Sequence, residues 1–449
     1  MDIQSKNKKI ISNINYYLLL ILACGPIIQF FVGTITPDSN FELLFYIWGF
    51  VFLIVYAISF VVKAKNIKIM KVKEKLVITM IILTFVCLVC VLISGFVKHF
   101  AINNLQILLY VFLFISVLLL DKKQSKVFLI VLIANFALSC LLGIMDPNGY
   151  VIPGFSSNHV ASSLFFVHAN YSQAIAALLI VIVYHMMIKE KNPILSFMYV
   201  LFFVIIGLHM FLNSSSAGIS CVFVILVINI IVDWIRTKKF PLKVFLVFLS
   251  YVSFAFLIEL YPNIYNLRTG HYNYFIEVVD VFDNIFGTNL TKNWFNIEYV
   301  PGSNGWERDK LLANSIATVW GNSSISFGER LINNLFGLGG GTLHTLRPHN
   351  MFVGGWVDFG LIFAISLYSL FIVGLIYIAK KAGKRINEVL PYIYAMISYL
   401  IATMFGSMLV YHFIYFVAIF ALAFNKVKEN ITLEDKRIGY QILNEDKEN

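Results

Sequence analysis

Continuous apolar runs of about twenty residues repeat along this chain, and no other feature limits its fold so strongly. In hydrocarbon every backbone N–H and C=O must be satisfied internally, which leaves helices or a closed barrel. The runs are unbroken rather than alternating, so they specify helices. Spans are expected at 14–35, 41–62, 76–96, 105–120, 127–144, 164–188, 194–212, 219–235, 244–261, 351–378, 389–409 and 410–424, twelve in all. The stretch 389–424 is too long for one crossing and short for two, with Gly406-Ser407 as the expected break. Composition agrees, because 59% hydrophobic and 13% charged residues do not suit the surface of a soluble domain. The first apolar stretch is long enough to remain as an anchor rather than a cleaved signal. The fold class is therefore an all-α integral membrane protein of about twelve transmembrane helices.

Basic residues set the expected orientation. The segments 1–9, 63–75, 121–126, 189–192, 236–243, 380–385 and 426–449 hold 27 of the 34 Lys and Arg, and alternate spans place all of them on one side. The other side carries Lys98 and six basic residues of a single long loop. Both termini are expected in the cytoplasm and residues 262–350 outside it. The net charge of +10 then reflects contact with anionic lipid, not a nucleic-acid surface.

Four regions follow: an N-terminal transmembrane bundle of about nine helices (1–261), a large extracytoplasmic loop (262–350), C-terminal transmembrane helices (351–425) and a cytoplasmic tail (426–449). A connection of roughly 90 residues is far beyond ordinary loop length, and loops of that size are functional or disordered. This one is rich in Tyr, Trp and Phe and contains helix-like stretches at 307–320 and 326–336, so a mainly helical cap on the bundle is expected.

Chemistry is concentrated at the end of that loop, in RLINNLFGLGGGTLHTLRPHNMFVGGWVDFG (residues 330–360). Arg330 and Arg347 can grip a diphosphate as planar forks, and Arg308 is a third candidate. His349 titrates near neutral pH and is suited to act as a general base or to hold a phosphate oxygen; its bland alternative is to cap the helix that follows. The glycine run, with Gly339 and Gly340, can bring backbone N–H groups close to an anion. Trp294, Trp306, Trp320 and Trp356 suit either sugar stacking or interfacial anchoring. No phosphate-binding loop, zinc-ligand helix or Asp-x-Asp pair is present, which points to a metal-independent site without a cofactor. The five cysteines all fall in expected spans, and Cys87-x-x-Cys90 reads as core.

Topology also limits the energy source. Nucleotide sugars are cytoplasmic, so an outward-facing transferase needs a donor already activated and carried by the membrane. A glycan on a polyprenyl diphosphate meets that need, with a leaving group that arginines can stabilise.

The motifs "NNLFGLGGG", with an arginine upstream, and "HNMFVGGWVDFGLI" resemble the bacterial O-antigen polymerase and O-antigen ligase superfamily. A second likeness is "FFVHANYSQAIAALL" (Phe165–Leu179), similar to the family's Asn-rich start of a mid-chain span. Together these cover roughly residues 160–380. The resemblance implies a GT-C-like architecture, with His349 as the essential histidine and Asn350 its partner at the helix start. It maps the diphosphate-contacting arginine to Arg330 or Arg308, and gives substrate-binding positions to Arg347, Asp358 and Asn170. The family often has Ser-Arg-Gly at a middle span where this chain has Asn213–Gly218 without arginine, so either Arg347 or Lys98 replaces that group or the site is organised differently.

The expected activity is thus that of a polymerase joining polyprenyl-diphosphate-linked oligosaccharides into a capsular, exopolysaccharide or O-antigen chain. Its partners would be donor and acceptor glycolipids, the bilayer, and a chain-length regulator and flippase of the same pathway. A ligase delivering finished glycan to a lipid or wall acceptor would use the same residues. A flippase is the alternative of another class, disfavoured because ionisable side chains are nearly missing from mid-span positions.

Overall fold

The computed structural model describes residues 3–24, 74–98, 102–145, 169–212, 313–320, 325–339, 350–403 and 413–428, with isolated positions between 227 and 245. Nearly all of them are helical, and there is no β-strand among the described residues. The helices are α1 (Ile3–Ala23), α2 (Lys75–Val97), α3 (Ile102–Leu118), α4 (Lys122–Met145), α5 (Ala169–Lys189), α6 (Pro193–Leu212), α7 (Phe327–Phe336), α8 (Met351–Phe359), α9 (Leu361–Ala382) and α10 (Ile386–Thr403). Residues 313–320 and 413–428 are also helical.

Five stretches among the described residues are long and apolar enough to cross a membrane: Lys75–Val97, Lys122–Leu142, Ser172–Lys189, Pro193–Met210 and Leu361–Thr403. The last comprises α9, a 3-10 turn at Gly383–Arg385 and α10. Gly383, at φ +48°, lets the chain turn there, and the Tyr368 hydroxyl on α9 meets Thr403 on α10, so the two helices run antiparallel. The chain is a helical membrane protein. The expected span at 41–62, that at 244–261 apart from Phe245, the break at Gly406-Ser407 and the tail after 428 lie outside the described residues.

The expected span at 351–378 is not one helix. Gly360, at φ +93°, divides it into the nine residues of α8 and the longer α9. Apolarity continues through the break, so hydropathy could not reveal it.

The helix α5 forms the centre of the bundle. Residues 174–183 are buried on every side, so α5 lacks a polar face and must lie among other helices. It packs on α6 and α10, while α9 packs on α2 and α4 on α6 and α1. Between apolar helices the hydrophobic effect gives little preference, and polar side chains fix the pairing. Buried amides do so here. Asn15 Nδ2 donates to Ser116 O (3.0 Å), Asn104 Nδ2 to Val91 O (2.8 Å), and Gln173 Nε2 to Met210 O (3.0 Å). Asn425 Nδ2 reaches Val117 O at 2.6 Å, a carbonyl at the end of α3 that also accepts from Leu120 N at 3.1 Å. The helix 413–428 adds an aromatic stripe, Phe413, Phe416, Phe420 and Phe424, against Phe371, Tyr399 and Phe114. Gly374 leaves room for one of these rings, since a Cβ there would lie 2.2 Å from Phe420 Cζ.

Charged groups segregate to the two ends of this bundle. At one end Lys381 pairs with Glu74, Lys189 Nζ donates to Asn387 O (2.9 Å), and Lys426 pairs with Glu388 (3.4 Å). At the other end Lys98 meets Glu329 at 3.9 Å. The sequence segments expected to share one side at 63–75, 189–192, 380–385 and 426–449 therefore each contribute to the same end.

Candidate functional site

The loop end and the following helix are built together at the Lys98 end. Ser326 caps α7, its hydroxyl accepting from Glu329 N at 3.2 Å. This satisfies one of the N–H groups that a helix start leaves over. Arg330 is half-buried in the second turn, and its carbonyl accepts from Asn334 Nδ2 at 2.9 Å. Asn333 is buried beside it.

The chain leaves α7 through Gly337 (φ +78°) and Gly339 (φ +102°) and is strapped at once to the end of α8. Leu338 N–H donates to Val357 O (2.7 Å) and Gly339 N–H to Asp358 O (3.2 Å). The Ser94 hydroxyl of α2 donates to the same Asp358 carbonyl at 2.7 Å. These bonds satisfy carbonyls of the last turn of α8 that have no partner within the helix. Two glycines allow the close approach. A Cβ on Gly337 would lie 2.4 Å from Asp358 O, and one on Gly360 would lie 2.0 Å from Leu335 O. Each glycine therefore makes space for the other strand's backbone. Beneath this clasp Val319, Val353 and Val357 form a small apolar cluster with Ile316, Leu338, Phe352 and Trp356.

The α8 helix starts at Asn350, whose Oδ1 accepts from Val353 N at 3.1 Å. Asn350 is thus the N-cap of α8. In sequence, Arg347 and His349 come just before the positive end of α8.

No protein-family model matches the chain, and no curated protein is similar to it.

Of the expected site residues, the structure brings Arg330, Gly339, Asn350 and Asp358 into one packed unit, since α7, α8, α9 and α2 all meet there. Arg308, Gly340, Arg347 and His349 lie outside the described residues. Asn170 falls in the first turn of α5, and its side chain is outside them too. Two findings differ from expectation. The Gly339 N–H, expected to face an anion, is committed to Asp358 O, because capping α8 is the nearer demand. Asp358 is only 1% exposed, and its backbone carbonyl joins three elements.

Ser94 and the paired roles of Gly337 and Gly360 were not found in the sequence. Ser94 was hidden in an apolar run, where the Ser94-Gly95 pair was the only signal of a close approach. Near the start of α5, His209 Nε2 lies 3.2 Å from Ser172 Oγ, a buried polar contact at the end of α6.

Proposed function

We propose that this chain is a polymerase that joins polyprenyl-diphosphate-linked oligosaccharide units on the outer face of the cytoplasmic membrane. The observation that carries the reading is the clasp between α7 and α8. It holds the Arg330 helix against a helix whose N-terminus begins directly after Arg347 and His349 in sequence. Arg330 supplies a cation able to fork onto a diphosphate, and the positive end of the α8 dipole, which follows Arg347 and His349 in sequence, supplies a second group that favours an anion. The site end of the bundle is opposite the end rich in lysine, which supports a cytoplasmic lysine end by the positive-inside rule.

In the proposed reaction an acceptor hydroxyl oxygen attacks the anomeric carbon of the donor. The bond from that carbon to the diphosphate oxygen breaks, and polyprenyl diphosphate leaves with the electron pair. His349 takes the hydroxyl proton or orients the hydroxyl. Arg330, with Arg308 and Arg347, stabilises the charge growing on the leaving group.

The test is His349→Ala in the native host, with chain-length analysis of the surface polysaccharide. Long chains should disappear while single lipid-linked units accumulate on the outer leaflet. Long chains that persist on the lipid carrier, with none on the final acceptor, would indicate a ligase. Single units trapped on the inner leaflet would indicate a flippase. Normal chains from a normally expressed variant would remove His349 from the reaction.

A further inference from the structure

The helix α7 is inside out compared with a helix on a water-soluble protein. Its apolar residues Phe327, Leu331 and Ile332 are 81%, 49% and 43% exposed. Asn333, on the opposite side, is 3% exposed, and its Oδ1 is buried without a hydrogen-bond partner among the described residues. Arg330 and Asn334 flank Asn333 and are half-buried. A surface helix in water buries its apolar stripe and exposes its polar one. Here the polar side faces the protein and the apolar side faces away from it.

Two neighbours indicate what covers that apolar face. The Lys98–Glu329 pair ties α7 to the end of α2. On α2 itself Phe85, Leu92 and Phe96 are exposed along one side of a helix that is apolar from end to end, so that side faces acyl chains. The apolar face of α7 therefore continues a lipid-facing surface. Exposed Trp320, on the helix 313–320, lies nearby in sequence and suits the same boundary. At ten residues α7 is about 15 Å long, too short to cross a bilayer.

We propose that α7 is an interfacial helix seated at the surface of the bilayer that α2 crosses. Its Phe327–Leu331–Ile332 face rests on phospholipid acyl chains, and its Arg330–Asn333–Asn334 side turns toward α8. Amphipathic helices bind membranes in this way, with the apolar face sunk to the headgroup boundary. Lys98 and Glu329 then lie at headgroup level. Arg330 is held at the depth where a lipid-borne diphosphate travels, so a glycolipid reaches it sideways from the leaflet rather than from water. The seat of α7 at the bilayer surface stands apart from the functional reading, whereas the approach of a glycolipid to Arg330 rests on it.

The test is collision accessibility of a nitroxide attached at Leu331→Cys and, separately, at Phe327→Cys. The full-length chain is reconstituted in phosphatidylcholine–phosphatidylglycerol vesicles, Glu329→Cys serves as the polar reference, and the unmutated chain gives the background from its own five thiols. The labels at 327 and 331 should collide several-fold more with oxygen than with a water-soluble nickel chelate, relative to 329. Equal nickel access at all three sites would overturn the proposal, because the face would then be in water. Protection of 327 and 331 from both reagents would also overturn it, because protein would then cover the face. Neither reading depends on whether the chain polymerises glycans, which the His349 experiment decides separately.

Discussion

Replacing Gly360 by alanine tests the clasp that organises the site. At φ +93° and ψ 163°, Gly360 occupies a region that side-chain-bearing residues rarely adopt, and such strain costs on the order of 1–3 kcal/mol. The added Cβ would also lie 2.0 Å from Leu335 O and 2.3 Å from Leu335 C. These are backbone atoms held by α7, so the clash is relieved only by separating the strap from α8, at about another 1–3 kcal/mol. The expected loss is therefore about 2–6 kcal/mol, a large part of the roughly 5–15 kcal/mol that holds an ordinary fold. Gly328→Ala is the control, because nothing lies within 4 Å of its Cβ and its φ is ordinary. It should change stability by less than about 1 kcal/mol. Equilibrium unfolding of both variants in mixed detergent–SDS micelles, followed by circular dichroism, gives the comparison. Equal stability of Gly360→Ala and Gly328→Ala would refute the clasp.

Other substitutions examine single contacts by the same assay. Gly374→Ala should cost about 1–3 kcal/mol through its contact with Phe420, and Phe420→Leu in the same chain should recover much of the loss. Asn350→Ala should lose about 0.5–2 kcal/mol of cap energy that Asn350→Ser retains, so polysaccharide still missing with Asn350→Ser would show contact with substrate as well. Asn425→Ala should cost about 0.5–1.5 kcal/mol by removing a hydrogen bond between helices, since Val117 O keeps its bond from Leu120 N. Lys98→Ala removes only an exposed pair and should change stability by less than about 1 kcal/mol.

The membrane class and the positions of several described helices were legible in the sequence, because apolar runs of that length mark them. The expected spans at 76–96 and 194–212 differ from α2 and α6 by a residue or so at each end. The α7 helix was legible from Ser326 and Glu329, an N-cap signature before an amphipathic run. The break at Gly360 was not, because a positive φ leaves no trace in apolarity. Ser94 was also illegible, since its partner is a backbone carbonyl far along the chain, and no local pattern encodes a contact of that range. The glycine run suits either an anion or a plain turn by sequence, and in the structure its Leu338 and Gly339 N–H groups cap α8. The direction in which α7 faces was equally hidden. Sequence shows that a helix is amphipathic but not which side meets the protein.

Reconstitution tests the central claim most directly. The purified chain is placed in vesicles with a polyprenyl-diphosphate-linked oligosaccharide, and both released polyprenyl diphosphate and glycan length are followed. One diphosphate released for each linkage formed is the predicted result, with both signals lost in Arg330→Ala and not restored by Arg330→Lys. Vesicles that move the glycolipid between leaflets without releasing diphosphate would contradict the account.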